Sequence, residues 1–208
     1  MTCNSSSLIP KMIGHAQTQK SFGVVRFNEN VFEFDLCLWT LLKSLSSLYP
    51  KEVSEQFSLP LDTVAALSSA SESQLKLLSS GAIISFKLSG SEKDYIEYLE
   101  GHYDHVSLIN NQDAGLSSAY WLLMGRIAHD NTDIAAQIFD VTTSLTKSVA
   151  EATDNQLRSL ACDKDMPFAI RFSPELVKEI LESDECHVTH LILKKHQQSL
   201  STGGRYEL

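Results

Sequence analysis

Apolar side chains recur every three or four residues over two stretches of the chain, which is the spacing of an amphipathic helix. In the first stretch we expect a polar side with Lys43, Ser44, Ser46 and Ser47, opposite a buried stripe of Leu36, Trp39, Leu41, Leu42, Leu45 and Leu48. The second stretch has a similar stripe of Tyr120, Leu122, Leu123, Met124 and Ile127. A shorter helix is predicted after each stretch, with Val53 and Phe57 in the first case and Ile134, Ile138 and Phe139 in the second.

These two stretches belong to one pattern that occurs twice. Trp39 and Trp121 are the only tryptophans, and we call the sequence separation between them the repeat interval. The same interval relates further identical pairs, namely Leu41 and Leu123, Phe57 and Phe139, Ala70 and Ala152, Gln74 and Gln156, Leu75 and Leu157, and Leu78 and Leu160. We interpret the pattern as a tandem duplication of a unit of about 80 residues, longer than the repeats of solenoid proteins. The tryptophan, leucine and phenylalanine members of these pairs are predicted to form the core of each repeat. After residue 78 we expect the second copy to gain about two residues, which aligns residues 85–88 with 169–172.

A capping box is predicted inside each copy. Ser71 and Gln74 stand three residues apart after a short helix expected over residues 61–67, and Thr153 and Gln156 occupy the same place in the second copy. In such a box the hydroxyl and amide side chains satisfy the free backbone donors at the start of a helix. A helix, a turn and a capped helix fit either a DNA-reading helix-turn-helix or an ordinary αα-corner, and the spacing leaves both readings open.

Short strands are predicted beside these helices. Residues 82–88 and 167–172 alternate in the manner of strands. Upstream, residues 22–27 and 31–34 flank Asn28-Glu29-Asn30, which predicts an N-terminal β-hairpin with a short polar loop. Each copy is expected to end in a helix, over residues 92–99 and 174–181, and a terminal helix is expected over residues 187–200. The predicted fold class is therefore mainly α, with the hairpin and one strand in each repeat.

These elements divide the chain into four predicted parts. Residues 1–20 are expected to be a flexible N-terminal segment, residues 21–110 the first repeat with its hairpin, residues 111–200 the second repeat, and residues 201–208 a C-terminal tail.

The chain is acidic, with 17 basic and 26 acidic residues, a net charge of −9 and a pI near 5.2. A protein of this charge is not expected to coat nucleic acid or an anionic membrane by itself. The acidic excess is concentrated in residues 92–165, which hold thirteen carboxylates and five basic residues. That segment is either a solvated face or a docking surface for a basic partner.

Cysteine usage favours a reducing, cytoplasmic setting. Cys3, Cys37, Cys162 and Cys186 are widely spaced without a C-x-x-C pair, so neither a disulfide framework nor a zinc ribbon is indicated. The first twenty residues lack the apolar run of a secretion signal, and no stretch has the roughly 20 apolar residues of a membrane span. Cys186, His187, His190 and His196 lack a second thiol pair, so we expect surface or packing roles there, and neither a metal nor another cofactor.

An enzyme is the rival functional class. The chain has no G-x-S-x-G, H-E-x-x-H, G-x-x-x-x-G-K-[ST] or G-x-G-x-x-G motif, and scattered Ser, His and Asp residues do not define a triad without geometry. We therefore expect a protein that is not an enzyme.

Several segments together carry a family likeness. The first copy resembles the flagellar transcriptional activator subunit FlhD at residues 57–61, 65–67, 70, 74–75, 77–78 and 86–88, and along the leading helix that contains Leu38, Leu41, Leu42 and Leu45. The second copy is similar at residues 122–123, 139–141, 152, 156–157, 160–161 and 170–172, and through the predicted final helix near residues 190–200. The likeness therefore covers most of the chain after residue 34. FlhD-like proteins also occur as regulators of conjugative mobile elements, beside an FlhC-like partner. The matching positions are mainly structural.

The resemblance implies a mainly helical, dimerising protein that joins a zinc-containing FlhC-like subunit, binds promoter DNA within that complex and recruits RNA polymerase. The usual FlhD chain has one unit, whereas this chain has two, which implies an internal version of the dimer. Lys194, Lys195 and Arg205 are candidate phosphate contacts, although a solvated terminal helix and tail would explain them equally well. The alternative is a protein-binding adaptor that captures a regulatory subunit without contacting DNA.

Overall fold

The computed structural model describes residues 27–101 and 115–183, which form ten helices and one two-stranded sheet. We call residues 27–101 the first half and residues 115–183 the second half. The first half contains α1 Glu29–Leu48, α2 Pro50–Phe57, α3 Leu61–Ser68, α4 Glu72–Leu78, β1 Phe86–Leu88 and α5 Glu92–Glu100. The second half contains α6 Gly115–Asp130, α7 Thr132–Phe139, α8 Thr143–Glu151, α9 Asp154–Asp163, β2 Phe168–Ile170 and α10 Pro174–Glu182. The prediction of a mainly helical fold with short strands is confirmed.

The start of the first half is helical, so the predicted N-terminal hairpin is wrong. Residues 31–34 belong to the first turns of α1, and residues 22–26 lie outside the described part of the chain. Asn28 is the N-cap of this helix, and its side-chain oxygen accepts hydrogen bonds from the backbone N–H groups of Asn30 and Val31 at 3.0 and 3.3 Å. The polar triplet that was expected to form a hairpin loop is therefore a helix start, since an asparagine carboxamide serves either purpose.

The buried side of α1 also differs from the predicted stripe. Leu41 is 44% exposed and Leu48 is 69% exposed, whereas the polar Ser46 is buried. Each residue turns an α-helix by about 100°, so Leu41 lies about 200° around the axis from the fully buried Trp39. The assignment of Leu41 to the repeat core is therefore wrong. The buried side consists of Val31, Asp35, Leu38, Trp39, Leu42 and Ser46.

The elements of the two halves keep one spacing throughout. The bounds of α2 and α7, of β1 and β2, and of α5 and α10 are each separated by the repeat interval. Ser58 and Asp140, which are separated by the same interval, both end their helices in the left-handed conformation, with φ values of 52° and 57°. The predicted gain of two residues is therefore wrong, because Phe86 corresponds to Phe168. The halves differ instead in helix length, since α4 has 7 residues and α9 has 10.

The core is aromatic at its centre. Trp39 and Trp121 are fully buried, and their rings contact Phe86 and Tyr95 at centroid distances of 4.8 and 5.3 Å. Other buried members of the predicted core are Leu75, Leu78, Leu123, Phe139, Leu157 and Leu160. Phe57 is half-buried and packs against this core.

The strands and the last helices join the two halves. β1 pairs antiparallel with β2, with Phe86 opposite Ile170, Lys87 opposite Ala169 and Leu88 opposite Phe168. The final helix of each half packs against the other half. Helix α5 packs against α8 and α9, and α10 packs against α3 and α4. The halves are therefore intertwined.

Candidate functional site

The crossing of α5 places polar side chains of the first half on the second. The Glu92 carboxylate accepts hydrogen bonds from the backbone N–H and the hydroxyl of Thr142, the N-cap of α8, at 3.0 and 2.5 Å. The Tyr95 hydroxyl donates to the backbone carbonyl of Asp165 at 3.1 Å, and burial raises the pKa of Tyr95. The Tyr98 hydroxyl donates to the Asp163 carboxylate at 2.5 Å. These hydrogen bonds fix the orientation of α5 on the second half, in addition to the packing of its buried side chains.

The crossing of α10 is held by different groups. The Gln74 amide, besides closing its capping box, donates to the backbone carbonyl of Leu181 in the last turn of α10. The Lys178 ammonium lies 2.5 Å from the Asp62 carboxylate at the start of α3. This hydrogen bond lowers the pKa of Asp62 and raises that of Lys178. Both side chains are accessible to solvent, so the ion pair adds orientation more than stability.

A fully buried carboxylate fixes the segment that leads into β1. Asp35 of α1 accepts hydrogen bonds from the backbone N–H and the hydroxyl of Ser85, at 2.6 and 2.7 Å. Burial of a carboxylate is costly unless hydrogen bonds compensate, and here both oxygens are engaged. Asp35 therefore determines where the chain enters the sheet.

Arg171, just after β2, connects both halves from a buried position. Its guanidinium donates to the carbonyls of Ile84 and Ile138, each at 2.9 Å, and to that of Gln137 at 3.4 Å. Its Nε lies 3.5 Å from a carboxylate oxygen of Asp140. Burial lowers the pKa of Arg171, and the Asp140 charge opposes that change. A planar guanidinium that is always charged suits this position, because it can donate at the same time to the last carbonyls of α7 and to one carbonyl of the first half.

Tyr120 lies beside this network, among aromatic rings of both halves. Its ring is fully buried against Phe34, Trp121, Phe139 and Phe168 at centroid distances of 6.1, 5.6, 5.1 and 5.3 Å. Burial raises its pKa well above the ordinary value. Within residues 27–101 and 115–183 its hydroxyl has no hydrogen-bond partner, so the ring contributes chiefly by packing.

The two capped helices present matching outward positions. Both bonds of the capping box are present at Ser71–Gln74 and again at Thr153–Gln156. The exposed side of α4 has Glu72, Ser73 and Lys76, and that of α9 has Asp154, Asn155 and Arg158. Each helix therefore begins with an exposed carboxylate, which repels phosphate. In α4 the Glu72 carboxylate lies 2.5 Å from the Lys76 ammonium. Each helix thus presents an acidic side chain at its start and a basic side chain one turn later.

A second accessible surface runs along α1, beside the part of the helix that faces the core. It comprises Glu33, Leu36, Cys37, Thr40, Leu41 and Ser44, which line a shallow groove. We call these six residues the outer stripe of α1. Within this stripe Cys37 and Leu41 are exposed, whereas Leu36 is half-buried and also packs against the core.

Basic side chains in the described part of the chain are few, and several are engaged. This part contains twenty-one acidic and eleven basic residues. Five of the basic residues make the contacts of Lys43 with the Ala70 carbonyl, Lys76 with Glu72, Lys93 with Glu97, Arg171 with Asp140 and Lys178 with Asp62. Lys194, Lys195 and Arg205, the candidate phosphate contacts, lie outside the described residues, as do Cys186, His187, His190 and His196.

Two structural findings bear on broad classes of function. Among the helices described, none combines the length and the apolar character that crossing a bilayer requires. Across those same residues, no three His, Cys, Asp or Glu side chains converge in a way that would hold a metal ion.

Comparison with protein-family models, with curated proteins and with solved structures finds no match for this chain.

Sequence reasoning missed Asp35, Arg171 and the outer stripe of α1. Asp35 stands at helical spacing between Val31 and Leu38, and that spacing is the local signal that could have placed its carboxylate on the buried side. No local signal indicates Arg171, because the carbonyls of Ile138 and Ile84 that it binds lie 33 and 87 residues away in the sequence.

Proposed function

We propose that this chain is an FlhD-like subunit of a heteromeric transcriptional activator, in which two copies of one helical unit form an internal dimer. In this proposal it binds promoter DNA together with an FlhC-like, zinc-containing partner, and the complex recruits RNA polymerase. The chain contributes an assembly surface, and the complex supplies most of the hold on DNA.

The pairing of the two strands is the observation that carries the internal dimer. Lys87 and Ala169 lie opposite one another, and the repeat interval separates them in the sequence. Arg171 N–H donates to the Ser85 carbonyl, and Ser89 N–H donates to the Pro167 carbonyl, both at 2.9 Å. Advancing Ser89 and Ser85 by one repeat interval gives Arg171 and Pro167, so a twofold axis through the Lys87–Ala169 pair would exchange these two hydrogen bonds. Such self-complementary pairing is the hallmark of a twofold interface.

The exchanged final helices support the same proposal. The last helix of each half packs on the other half, so the core of each half includes residues from both. Joining two such units in one chain replaces an association that depends on concentration with an internal one, at an effective concentration of about millimolar for a short linker. It also frees the halves to diverge, and the buried Arg171 corresponds in the first half to the small Ser89.

Charge supports dependence on a partner for DNA binding. The described part of the chain has ten more acidic than basic residues, and the exposed starts of α4 and α9 are acidic. Counter-ion release by lysine and arginine supplies most nonspecific affinity for DNA, and this surface has little to offer. Lys194, Lys195 and Arg205 are the proposed contribution of this chain to the shared DNA surface.

The second candidate function is a protein-binding adaptor that captures a regulatory subunit without contacting DNA. The acidic starts of the two capped helices favour it, because they suit a basic protein partner. The two candidates share the internal dimer and differ only in whether this chain touches DNA.

The experiment that tests the activator proposal uses the product of a neighbouring reading frame that encodes an FlhC-like protein with a four-cysteine zinc cluster. The two proteins are co-purified, and promoter binding is measured by fluorescence anisotropy over a range of salt concentrations. Lys194→Glu with Lys195→Glu is expected to weaken binding and to reduce the salt slope by about two, since each phosphate contact contributes about 0.9. Lys51→Glu with Lys147→Glu is the matched control, because both lysines are exposed and the charge change is the same.

The outcomes separate the candidates. An unchanged affinity and slope for the Lys194/Lys195 variant, in a complex that still forms, would favour the adaptor. Tight, sequence-specific DNA binding by the chain alone would overturn dependence on a partner. The internal dimer has its own test: residues 1–110 and 111–208 produced as separate chains should associate one to one by light scattering, and two non-associating monomers would refute it.

A further inference from the structure

Two buried charged side chains meet where the halves join, and each comes from a different half. Asp35 of the first half accepts hydrogen bonds from the backbone N–H and the hydroxyl of Ser85. Arg171 of the second half donates through its guanidinium to the Ile84 carbonyl, and through its backbone N–H to the Ser85 carbonyl. Burial lowers the pKa of Arg171, and the charges of Asp140 and Asp35 oppose that change. The two charges therefore interact across the Ile84–Ser85 segment.

Neither of these charges has a charged counterpart in the other half. Advancing Asp35 by one repeat interval gives Ser117, and moving Arg171 back by the same interval gives Ser89, which is exposed. The two tryptophans at the centre of the core, in contrast, are related by that interval. The halves thus share a central core residue and differ in the charge that each brings to the interface, so the charges are complementary only when unlike halves meet.

Pairing of like halves is the competing arrangement. Both halves contain the same order of elements, so the twofold relation would also let two copies of the chain pair first half with first half through β1, and second with second through β2. One core would then hold two Asp35 side chains and no Arg171, and the other core the reverse. Rearranging two chains in this way loses two charged hydrogen bonds from Arg171 to the Ile84 carbonyl. Each such bond favours an equilibrium by about tenfold or more, so like pairing is disfavoured by about a hundredfold.

We propose that Asp35 and Arg171 determine pairing specificity, because they direct each first half to a second half and exclude pairing between like halves of two copies. A buried asparagine has this role in coiled coils, where it fixes register and oligomer state at a cost in stability. Covalent linkage favours internal pairing only by the ratio of its effective concentration, about millimolar, to the concentration of the chain. The two charges add to that ratio, so the chain stays closed on itself even when it is concentrated. The proposal rests on the internal twofold given under Proposed function and assigns the residues that make it exclusive.

A single cysteine in β1 reports the pairing of like halves. Lys87 lies beside the twofold axis, so two first halves that paired through β1 would place Lys87 of one copy opposite Lys87 of the other. Lys87→Cys is introduced into a full-length chain whose four native cysteines are replaced by serine. The chain is unfolded in urea and refolded with mild oxidation at about 0.1 mM, which is within about tenfold of the effective concentration. Non-reducing electrophoresis then gives the fraction of disulfide-linked dimer.

Removal of both buried charges is expected to raise that fraction. Asp35→Asn with Arg171→Met retains most of the side-chain volume and should raise the linked dimer by about tenfold or more over the parent. Arg171→Met alone keeps the Asp35 hydrogen bonds, and it should raise the fraction in the same way because it removes the cation that unlike pairing supplies. Asp154→Ser with Arg158→Ser is the matched control, since it removes one carboxylate and one guanidinium from the exposed side of α9, and it should leave the fraction unchanged.

Circular dichroism at 222 nm establishes that each variant has refolded. Equal fractions of linked dimer in the parent and in the refolded uncharged variants would overturn the proposal, as would a rise in the control as large as that in the Asp35/Arg171 variant. A chain with both Lys87→Cys and Ala169→Cys tests the internal twofold separately, through its disulfide within one chain. Failure of the twofold is therefore distinguished from failure of pairing specificity. Neither measurement involves DNA, so the activator proposal is judged by anisotropy alone.

Discussion

Replacing Arg171 by methionine removes the group that joins the end of α7, the segment before β1 and Asp140. Methionine retains much of the side-chain length, so the change removes the charge and its hydrogen bonds with little loss of packing. Asp140 then has no guanidinium beside it, and the carbonyls of Ile84 and Ile138 lose a charged donor at 2.9 Å.

The expected loss follows from those contacts. Hydrogen bonds that involve a charged group contribute about 1.5–3 kcal/mol each, and Arg171 makes two short ones. Removal of the buried charge recovers part of this through desolvation, and breaking a buried pair costs about 3–5 kcal/mol in total. We therefore expect Arg171→Met to lower the free energy of unfolding by about 3–5 kcal/mol. With an m value of about 2 kcal/mol per molar urea, the midpoint should fall by about 2 M.

The assay is urea unfolding followed by circular dichroism at 222 nm. Arg158→Met is the matched control, because Arg158 is exposed on α9 and surface substitutions change stability by about 0.5 kcal/mol or less. Arg171→Lys should cost less than methionine, since an ammonium retains the charge without the planar fork. If Arg171→Met changed stability no more than Arg158→Met, the buried network would not join the halves as described.

Substitutions at three further positions test other parts of the fold. Gly81→Ala should lower the melting temperature, because the backbone there has φ of 67° and a left-handed alanine costs about 1–2 kcal/mol; an unchanged thermal melt would contradict this. Asp35→Ala removes the acceptor of both Ser85 hydrogen bonds and should lower the free energy of unfolding in urea by about 2–5 kcal/mol. Asp35→Asn retains one acceptor and should lower it less. Equal urea midpoints for the two variants would contradict this prediction. The Asp62–Lys178 pair is exposed, so its contribution to stability is small. The lowered pKa of Asp62 means that this small contribution is present above the ordinary value of 3.8 and is lost as the pH falls through the lower folded value. Asp62→Asn should therefore reduce the urea midpoint slightly at pH 7 and progressively less below pH 3.8. A difference that stays constant over that pH range would show that the effect is not ionic.

Local chemistry made some elements predictable from the sequence. Serine or threonine followed three residues later by glutamine forms a capping box in both halves, at Ser71 and at Thr153. Pro50 and Pro174 lie in the first turns of their helices, where the missing N–H costs nothing. These features were predictable because their hydrogen bonds close within a few residues.

Errors arose where one local pattern serves two structures. Asn28 can begin a helix or a turn, and the choice is made by contacts across the fold, among them the bond from its N–H to the Gly81 carbonyl at 2.8 Å. Leu41 is as apolar as Leu42, and the side of the helix that faces the core depends on which neighbours pack against it.

The exchange of the final helices could not be predicted from spacing. The sequences of α5 and α10 specify amphipathic helices, but they do not specify which half each one covers. That choice rests on distant partners, such as Thr142 for Glu92 and Asp62 for Lys178. The candidate site, built from contacts between the halves, shares this dependence.

The most direct test of the internal twofold is a disulfide between its two central residues. Lys87→Cys and Ala169→Cys are introduced into a chain whose four native cysteines are replaced by serine. Directly opposed residues of an antiparallel pair have Cα atoms about 4.5–5.5 Å apart, within the range of about 4.4–6.8 Å that a disulfide spans. After mild oxidation, non-reducing electrophoresis and mass spectrometry should find one disulfide within a single chain of 23.1 kDa, at all protein concentrations. Failure to form it, or disulfides that form only between chains, would contradict the internal twofold.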